Sequence, residues 1–146
     1  MTNRQEPPKQ IPVTPATRRI LNTLREELFP QINQLKDILV EAQKIRISYQ
    51  LFSTSLNRLN EPYWDISKDF FTVVRKLQTP DLLFDGLENP ELSDITMTFF
   101  QFNQAIESTI KQGLNYVEII DRTLDRKAQT LQNNRTFLVS LIAILL

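Results

Sequence analysis

Paired carboxylates are the first residues whose types and spacing could do chemistry. Three pairs lie four positions apart, at Asp37/Glu41, Asp65/Asp69 and Asp121/Asp125. Residues at this spacing share a helix face, as the metal-binding carboxylates of di-iron bundles do. Those bundles also need Glu-x-x-His motifs, and the chain has no His. We therefore interpret the pairs as solvated helix surface, and we expect Glu118 and Arg122 to form an ion pair of the same kind.

A denser acidic group occurs in "PDLLFDGLENPELSD" and consists of Asp81, Asp85, Glu88, Glu91 and Asp94. Carboxylates so close together could hold a hard cation such as Ca²⁺, but the order of an EF-hand loop is missing. We predict no metal and no cofactor. Glu91 and Asp94 instead suit a helix N-terminus, where negative charge is favourable. Asp81, Asp85 and Glu88 are predicted to form an acidic tip that contacts a protein partner.

The composition removes most other chemistry. Without Cys or His, the chain has no disulfide, no thiolate metal site and no imidazole base, and its hydroxyls lack an activating partner. Seventeen basic and seventeen acidic residues cancel, and the basic ones form no dense stripe. We expect a protein that is not an enzyme and binds neither nucleic acid nor a small-molecule substrate.

Helical periodicity dominates the first sixty residues. Pro-rich residues 1–14 are predicted to be a disordered tail, and Thr14-Pro15 is typical of a helix start. We expect a kink or break near Phe29, caused by Pro30, and a stop at Asn60–Pro62. The apolar positions between the helix start and this stop form a seam with a mean spacing of about 3.5 residues, as in coiled coils. They are Leu21, Leu24, Leu28, Ile32, Leu35, Leu39, Ala42, Ile45, Tyr49, Phe52, Leu56 and Leu59.

The second half predicts one short helix and one long one. Residues 63–78 form a short amphipathic segment, and Asn89-Pro90 repeats the helix-start signal. From there to the end no Pro interrupts the chain. Gly113 lies beside the second seam and could mark a close approach of two helices or a mild bend that costs up to about 1 kcal/mol. This seam has the same spacing as the first: Leu92, Ile95, Phe99, Phe102, Ile106, Ile110, Leu114, Val117, Ile120, Leu124, Ala128 and Leu131.

Two long seams joined by about thirty residues predict an all-α fold, an elongated antiparallel helical hairpin with the short segment as a third helix at its distal end. The helical bundle domain is expected at 15–136. In this hairpin Arg18 and Arg19 lie beside Arg135, far from the acidic tip. Charge is divided between the two ends in the same way. Residues 1–60 hold nine basic and five acidic residues, a net charge of +4, and residues 61–100 hold three basic and eight acidic residues, a net charge of −5.

The chain ends on "TFLVSLIAILL", which has no charged side chain. Eleven helical residues reach about 16 Å, half of a bilayer's hydrocarbon layer. Three interpretations stay open: part of a transmembrane helix that continues beyond this sequence, a partly inserted or interfacial anchor, or a helix buried in an oligomer or in the bundle itself. We favour a membrane anchor at 137–146, formed by Phe137, Leu138, Val139, Leu141, Ile142, Ile144, Leu145 and Leu146.

This architecture leads us to an expectation about the function of the protein. We expect a membrane-anchored scaffold or adaptor, or a small subunit of a membrane assembly, whose helical domain stands on the cytoplasmic side because Lys and Arg precede the apolar run. Exposed contacts with a protein partner are predicted at Trp64, Met97 and Phe100, and a homo- or hetero-oligomer is expected. The alternatives are the regulatory domain of a channel or pore and a soluble, oligomeric coiled-coil interaction protein.

Overall fold

The computed structural model describes residues 15–78 and 93–146, with side chains at all of these except 16, 17 and 93–100. The predicted tail at 1–14 lies outside these ranges, as does the acidic stretch 79–92. The all-α prediction is confirmed for the described residues, none of which is in a strand. The elements are α1 at Pro15–Thr23, a π-helical turn at Leu24–Leu28, α2 at Phe29–Lys44, α3 at Thr54–Leu77 and α4 at Ser93–Leu145.

Of the kink or break expected near Phe29, the break does not occur, and a π-helical turn directly precedes Phe29. α1, the π turn and α2 follow one another without interruption, and together we call them the first rod. Within the turn, the Phe29 N–H donates to the Leu24 carbonyl, five residues back. A proline lacks an N–H, and its ring crowds the carbonyl four residues before it. The wider π turn relieves that crowding, so the rod continues through Pro30.

The first rod ends earlier than the seam predicts. α2 stops at Lys44, and residues 45–53, which we call the linker, are not helical. Ser53 then caps α3, its hydroxyl accepting from the Leu56 N–H at 3.3 Å. The predicted stop at Asn60–Pro62 is wrong, because Pro62 lies inside α3. Its cost of about 3 kcal/mol is offset by buried residues on both sides of it, each worth about 1.5–3 kcal/mol.

The linker carries a sequence signal that helical periodicity overlooked. From Ile45 to Leu51, "IRISYQL" alternates apolar and polar residues with a period of two, which favours extended backbone over helix. Ile45 and Ile47 are half-buried against the core. Tyr49 and Phe52 were counted on the seam, yet they are 94% and 75% exposed. Those two positions belong to the surface.

The three rods run up, down and up. Lys76 Nζ lies 2.6 Å from Glu27 Oε2, so the end of α3 is beside the early part of the first rod and the two are antiparallel. α4 runs parallel to the first rod, because Phe102 and Arg18 line one groove while Asn134 bonds to Ser48. The predicted antiparallel pairing of the two long helices is therefore wrong. The element that folds back is α3, whose 24 residues exceed the short cap expected at 63–78.

The core lies along the middle of this three-helix bundle. Its largest fully buried side chains are contributed by all three rods: Leu28, Leu35, Phe70, Val73 and Ile120. Both seams face it over most of their length, but α4 is turned so that Gly113, not Leu114, is buried. Of the two alternatives for Gly113, the structure shows the close approach, since a Cβ there would lie 2.4 Å from the Phe70 ring. The last buried core residue of α4 is Leu131.

Candidate functional site

The apolar end of α4 extends past the core. The helix continues for fourteen residues after Leu131, to Leu145. Its eight large apolar side chains range from 38% exposed at Leu138 to 101% at Leu146: Phe137, Leu138, Val139, Leu141, Ile142, Ile144, Leu145 and Leu146. The interpretation that they are buried in this chain's own bundle is wrong. No helix in the described part of the chain has an apolar stretch long enough to span a bilayer.

Side chains of α4 hold the linker next to the start of this apolar end. Asn134 Nδ2 donates to the carbonyls of Ser48 at 2.9 Å and Gln50 at 2.7 Å. Arg135 Nε donates to the Leu51 carbonyl at 2.7 Å, and Lys127 Nζ donates to the Ile45 carbonyl. A non-helical segment needs partners for its backbone groups. These bonds supply them and fix the linker at the level of Arg135.

Two aromatic side chains of the linker point into solvent beside this end. Tyr49 and Phe52 are the most exposed aromatic residues among the described side chains. The Arg135 guanidinium lies 4.7 Å from the centre of the Phe52 ring, a cation–π contact that links the ring to the last cation before the apolar run. The linker and the end of α4 thus form one surface. We call it the linker end of the bundle.

The hairpin prediction placed the wrong basic residues at this surface. Arg18 and Arg19 were expected beside Arg135, but Arg18 lines a groove with Phe102 and Thr109 at the opposite end of the bundle. The reason is the parallel course of α4 and the first rod. The helix ends that flank the acidic stretch, Leu77 and Ser93, also lie at that opposite end. The residues at the linker end are instead those of the linker and of its neighbouring helical turns.

The predicted partner contacts are only partly described. Trp64 is 67% exposed on α3, with its ring centre 6.0 Å from that of buried Tyr63. Met97 and Phe100 lie in the first turns of α4, where the structure describes the backbone alone. Asp81, Asp85 and Glu88 fall outside the described residues. Of these residues, Trp64 is the one whose side chain the structure describes, so a partner surface built from them stays a prediction.

A buried tyrosine joins α3 to α4, a contact that sequence patterns did not reveal. The Tyr63 hydroxyl donates to Asp121 Oδ1 at 2.5 Å and approaches the Val117 carbonyl at 3.4 Å. Burial, together with the hydrogen bond to Asp121, raises the pKa of Tyr63 well above its usual value near 10. The phenol therefore stays protonated at neutral pH. Its role here is to connect two helices rather than to transfer a proton.

The described carboxylates do not gather into a metal site. All six carboxylates of the three i,i+4 pairs are exposed, and Glu118 accepts from Arg122 at 2.5 Å as a surface ion pair. Across residues 15–78 and 93–146, no three His, Cys, Asp or Glu residues come together in a way that could hold a metal ion. The arrangement indicates solvated helix faces.

The bundle also carries an open apolar groove at the end opposite the linker. Its volume is about 640 Å³, and its rim carries Arg18 and Arg25. Apolar side chains of α1, the π turn, the start of α2 and α4 form most of the lining: Leu21, Leu24, Phe29, Phe102, Ala105 and Ile106. Sequence periodicity assigned Leu21 to the core, but the residue is 42% exposed in this groove.

Comparison of the chain with protein families, with curated proteins and with solved structures gives no match. The function therefore has to be argued from the geometry of this chain, and the linker end is the surface whose chemistry is most distinctive.

Proposed function

We propose that this protein is a membrane-attached helical scaffold or adaptor, with residues 137–146 as the anchor and the three-helix bundle standing on the cytoplasmic side. The observation that carries the proposal is the exposure of all eight large apolar side chains beyond Leu131. Moving this set out of water is worth on the order of 10 kcal/mol before the costs of immobilisation. A contiguous apolar surface of this kind marks a membrane or protein contact.

Lipid suits this segment because its apolar residues surround the helix. Val139 and Ile144 are 65% and 81% exposed, and no single stripe of the segment is polar. A helix that docks against one partner helix needs only one apolar stripe, whereas a helix in lipid is apolar on every face. Its ten residues reach about 15 Å, so this segment alone would insert into one leaflet.

The soluble oligomer is the second candidate, and the same exposed residues favour it. Copies of the chain could cover their apolar ends by packing them together. The bundle itself gives this candidate little support, because both periodic seams are already used inside the chain. Ile32, Leu35 and Ile120 face the core rather than solvent.

A vesicle experiment with matched variants tests the proposal. Leu141→Ser/Ile142→Ser changes two anchor residues that are 43% and 48% exposed. Val40→Ser/Leu114→Ser changes two bundle residues of similar exposure, 40% and 39%. We expect the full chain to float with vesicles, the anchor pair to lower its partition by about tenfold or more, and the bundle pair to leave it unchanged.

Two outcomes would reject the anchor. The first is a full chain that stays with the aqueous fraction at all lipid concentrations. The second is an equal loss of partition in the two pairs of variants. If sedimentation also shows an oligomer that Leu141→Ser/Ile142→Ser dissociates, the oligomeric protein replaces the anchored adaptor as the better account.

A further inference from the structure

The linker end carries an excess of positive charge. Residues 42–60 and 126–146, which build it, contain six basic residues and no Asp or Glu: Lys44, Arg46, Arg58, Arg126, Lys127 and Arg135. The nearest carboxylates in sequence, Glu41, Glu61 and Asp125, lie on the bundle side of these stretches. A chain with zero net charge therefore concentrates positive charge at one end of its fold.

Most of this charge is available to an external anion. Lys127 and Arg135 are bonded to linker carbonyls, and they hold the backbone in place. The other four cations are on the surface, since Lys44, Arg46, Arg58 and Arg126 are all exposed. They lie on the bundle before the apolar segment begins, since Arg126 is eleven residues, or about 16 Å of helix, before Phe137.

The aromatic residues of the linker complete the pattern. Tyr49 and Phe52 are exposed beside the cations, at the level where the apolar helix begins. Tyrosine and other amphipathic aromatics concentrate at the boundary between lipid headgroups and hydrocarbon. Basic residues next to a membrane-inserted segment attract anionic headgroups. An apolar helix end, exposed aromatics and a group of cations follow one another along the bundle.

We propose that the linker end binds the anionic headgroups of a bilayer, so that membrane attachment has two parts: insertion of 137–146 and electrostatic docking of the linker surface. This inference rests on the proposed function and adds to it the chemical class of lipid. A single weak apolar anchor binds reversibly, and a second, basic signal makes attachment stable. The linker thus becomes a membrane-binding element that orients the bundle.

Charge reversal in two pairs of residues, one pair at each end of the bundle, tests this docking. Lys44→Glu/Arg46→Glu and Arg18→Glu/Arg19→Glu change the net charge equally, and all four side chains are exposed. The full chain is titrated with phosphatidylcholine vesicles and with vesicles containing about one third phosphatidylserine. Each cation near such a surface strengthens binding by about fivefold. We expect anionic vesicles to bind at least about tenfold more tightly, the linker pair to lose that preference, and the Arg18/Arg19 pair to keep it.

The position of the linker is tested by fluorescence. Trp64 is the single tryptophan of the chain, and it lies eleven residues after Ser53, about 16 Å along the α3 axis. Tyr49→Trp in a Trp64→Phe background moves the indole to the linker. We expect its emission to shift to the blue with anionic vesicles, whereas the native Trp64 emission stays constant. Circular dichroism confirms that each variant is folded.

The outcomes separate this inference from the proposed function. Equal binding to neutral and anionic vesicles overturns the docking of the linker and leaves the apolar anchor standing, whereas binding to neither overturns both. A constant emission from the indole at position 49 also rejects the docking. Tighter binding to a single-stranded oligonucleotide, with loss of vesicle binding in competition, would assign the cations to nucleic acid instead.

Discussion

At the residue scale, Gly113 shows how one missing side chain allows the bundle to close. A Cβ at this position would lie 2.4 Å from the Phe70 ring and 3.4 Å from Ile32. Phe70 is fully buried, so its ring has little room to move. The absence of a side chain on α4 thus lets a large aromatic ring of α3 sit between the other two rods.

Gly113→Ala is therefore expected to destabilise the protein, although alanine is the better helix former. Alanine gains up to about 1 kcal/mol of helix propensity, but crowding in a packed core costs about 1–3 kcal/mol. We expect a net loss of about 1 kcal/mol or more in the free energy of unfolding, measured by urea denaturation. The control is Gln112→Ala, a change at an exposed neighbour. An unchanged or higher stability of Gly113→Ala would show that the Phe70 ring can move aside.

Tyr63 and Asp121 illustrate what residue patterns alone do not reveal. Asp121 was grouped with Asp125 as a solvated pair, and it is exposed. Its carboxylate nevertheless accepts a 2.5 Å hydrogen bond from a tyrosine 58 positions earlier in the chain. Only the packing of α3 against α4 places the two groups together. Local spacing carries no information about such a pair.

At the element scale, the linker is the feature on which the candidate site depends. Its backbone lacks helical bonds, and one side chain of α4, Asn134, donates to two of its carbonyls. Tyr49 and Phe52 keep their places beside the apolar end because of these bonds. The linker is therefore the part of the bundle whose order is most sensitive to a single surface substitution.

Asn134→Ala is expected to loosen the linker without unfolding the bundle. The loss of two hydrogen bonds, each worth about 1 kcal/mol, should raise amide hydrogen exchange at residues 45–53 by about tenfold or more, while exchange in the core of α2 changes little. Asn133→Ala, at the adjacent exposed position, is the matched control. Equal exchange in the two variants would mean that other contacts hold the linker.

The elements were partly predictable from the sequence. The start of the first rod at Pro15 and a single helix from the Asn89-Pro90 region to the end agree with local signals, namely proline at a first turn and a seam without interruption. The helix boundaries predicted in the middle of the chain differ from the observed ones because Pro30 and Pro62 are strong local helix breakers, yet both lie in helix. A π turn accommodates the first, and packing on both sides of the second outweighs its local cost. The true boundary was marked by the weaker alternation around Ile47.

At the scale of the whole molecule, the direction of α4 decides which residues share a surface. An antiparallel hairpin would have joined Arg18 to Arg135 and made the Pro-rich tail part of the membrane-facing end. With α3 as the returning helix, α4 runs beside the first rod in the same direction. The apolar end then meets the linker, which supplies Arg46 and the two aromatic residues, and the neighbouring helical turns supply the other cations. Seam spacing is the same for both topologies, so the sequence could not distinguish them.

Two spin labels distinguish the topologies directly, because the chain has no native cysteine. Arg19→Cys and Gln132→Cys are both exposed positions, one near each end of the bundle. Arg18 shares a groove with Phe102, and about thirty residues of helix separate that level from Gln132. At a rise of 1.5 Å per residue, pulsed electron paramagnetic resonance should give a distance of about 45 Å between the two labels. A second pair, Arg19→Cys with Gln101→Cys, should give a short distance and serves as the control.

In the antiparallel hairpin the first pair would be the close one, at less than about 20 Å. That result would mean that Arg18 and Arg19 lie beside the apolar end and that the linker does not. Because the docking of anionic lipid at Lys44 and Arg46 depends on the parallel course of α4, this one distance tests the geometry on which that docking rests.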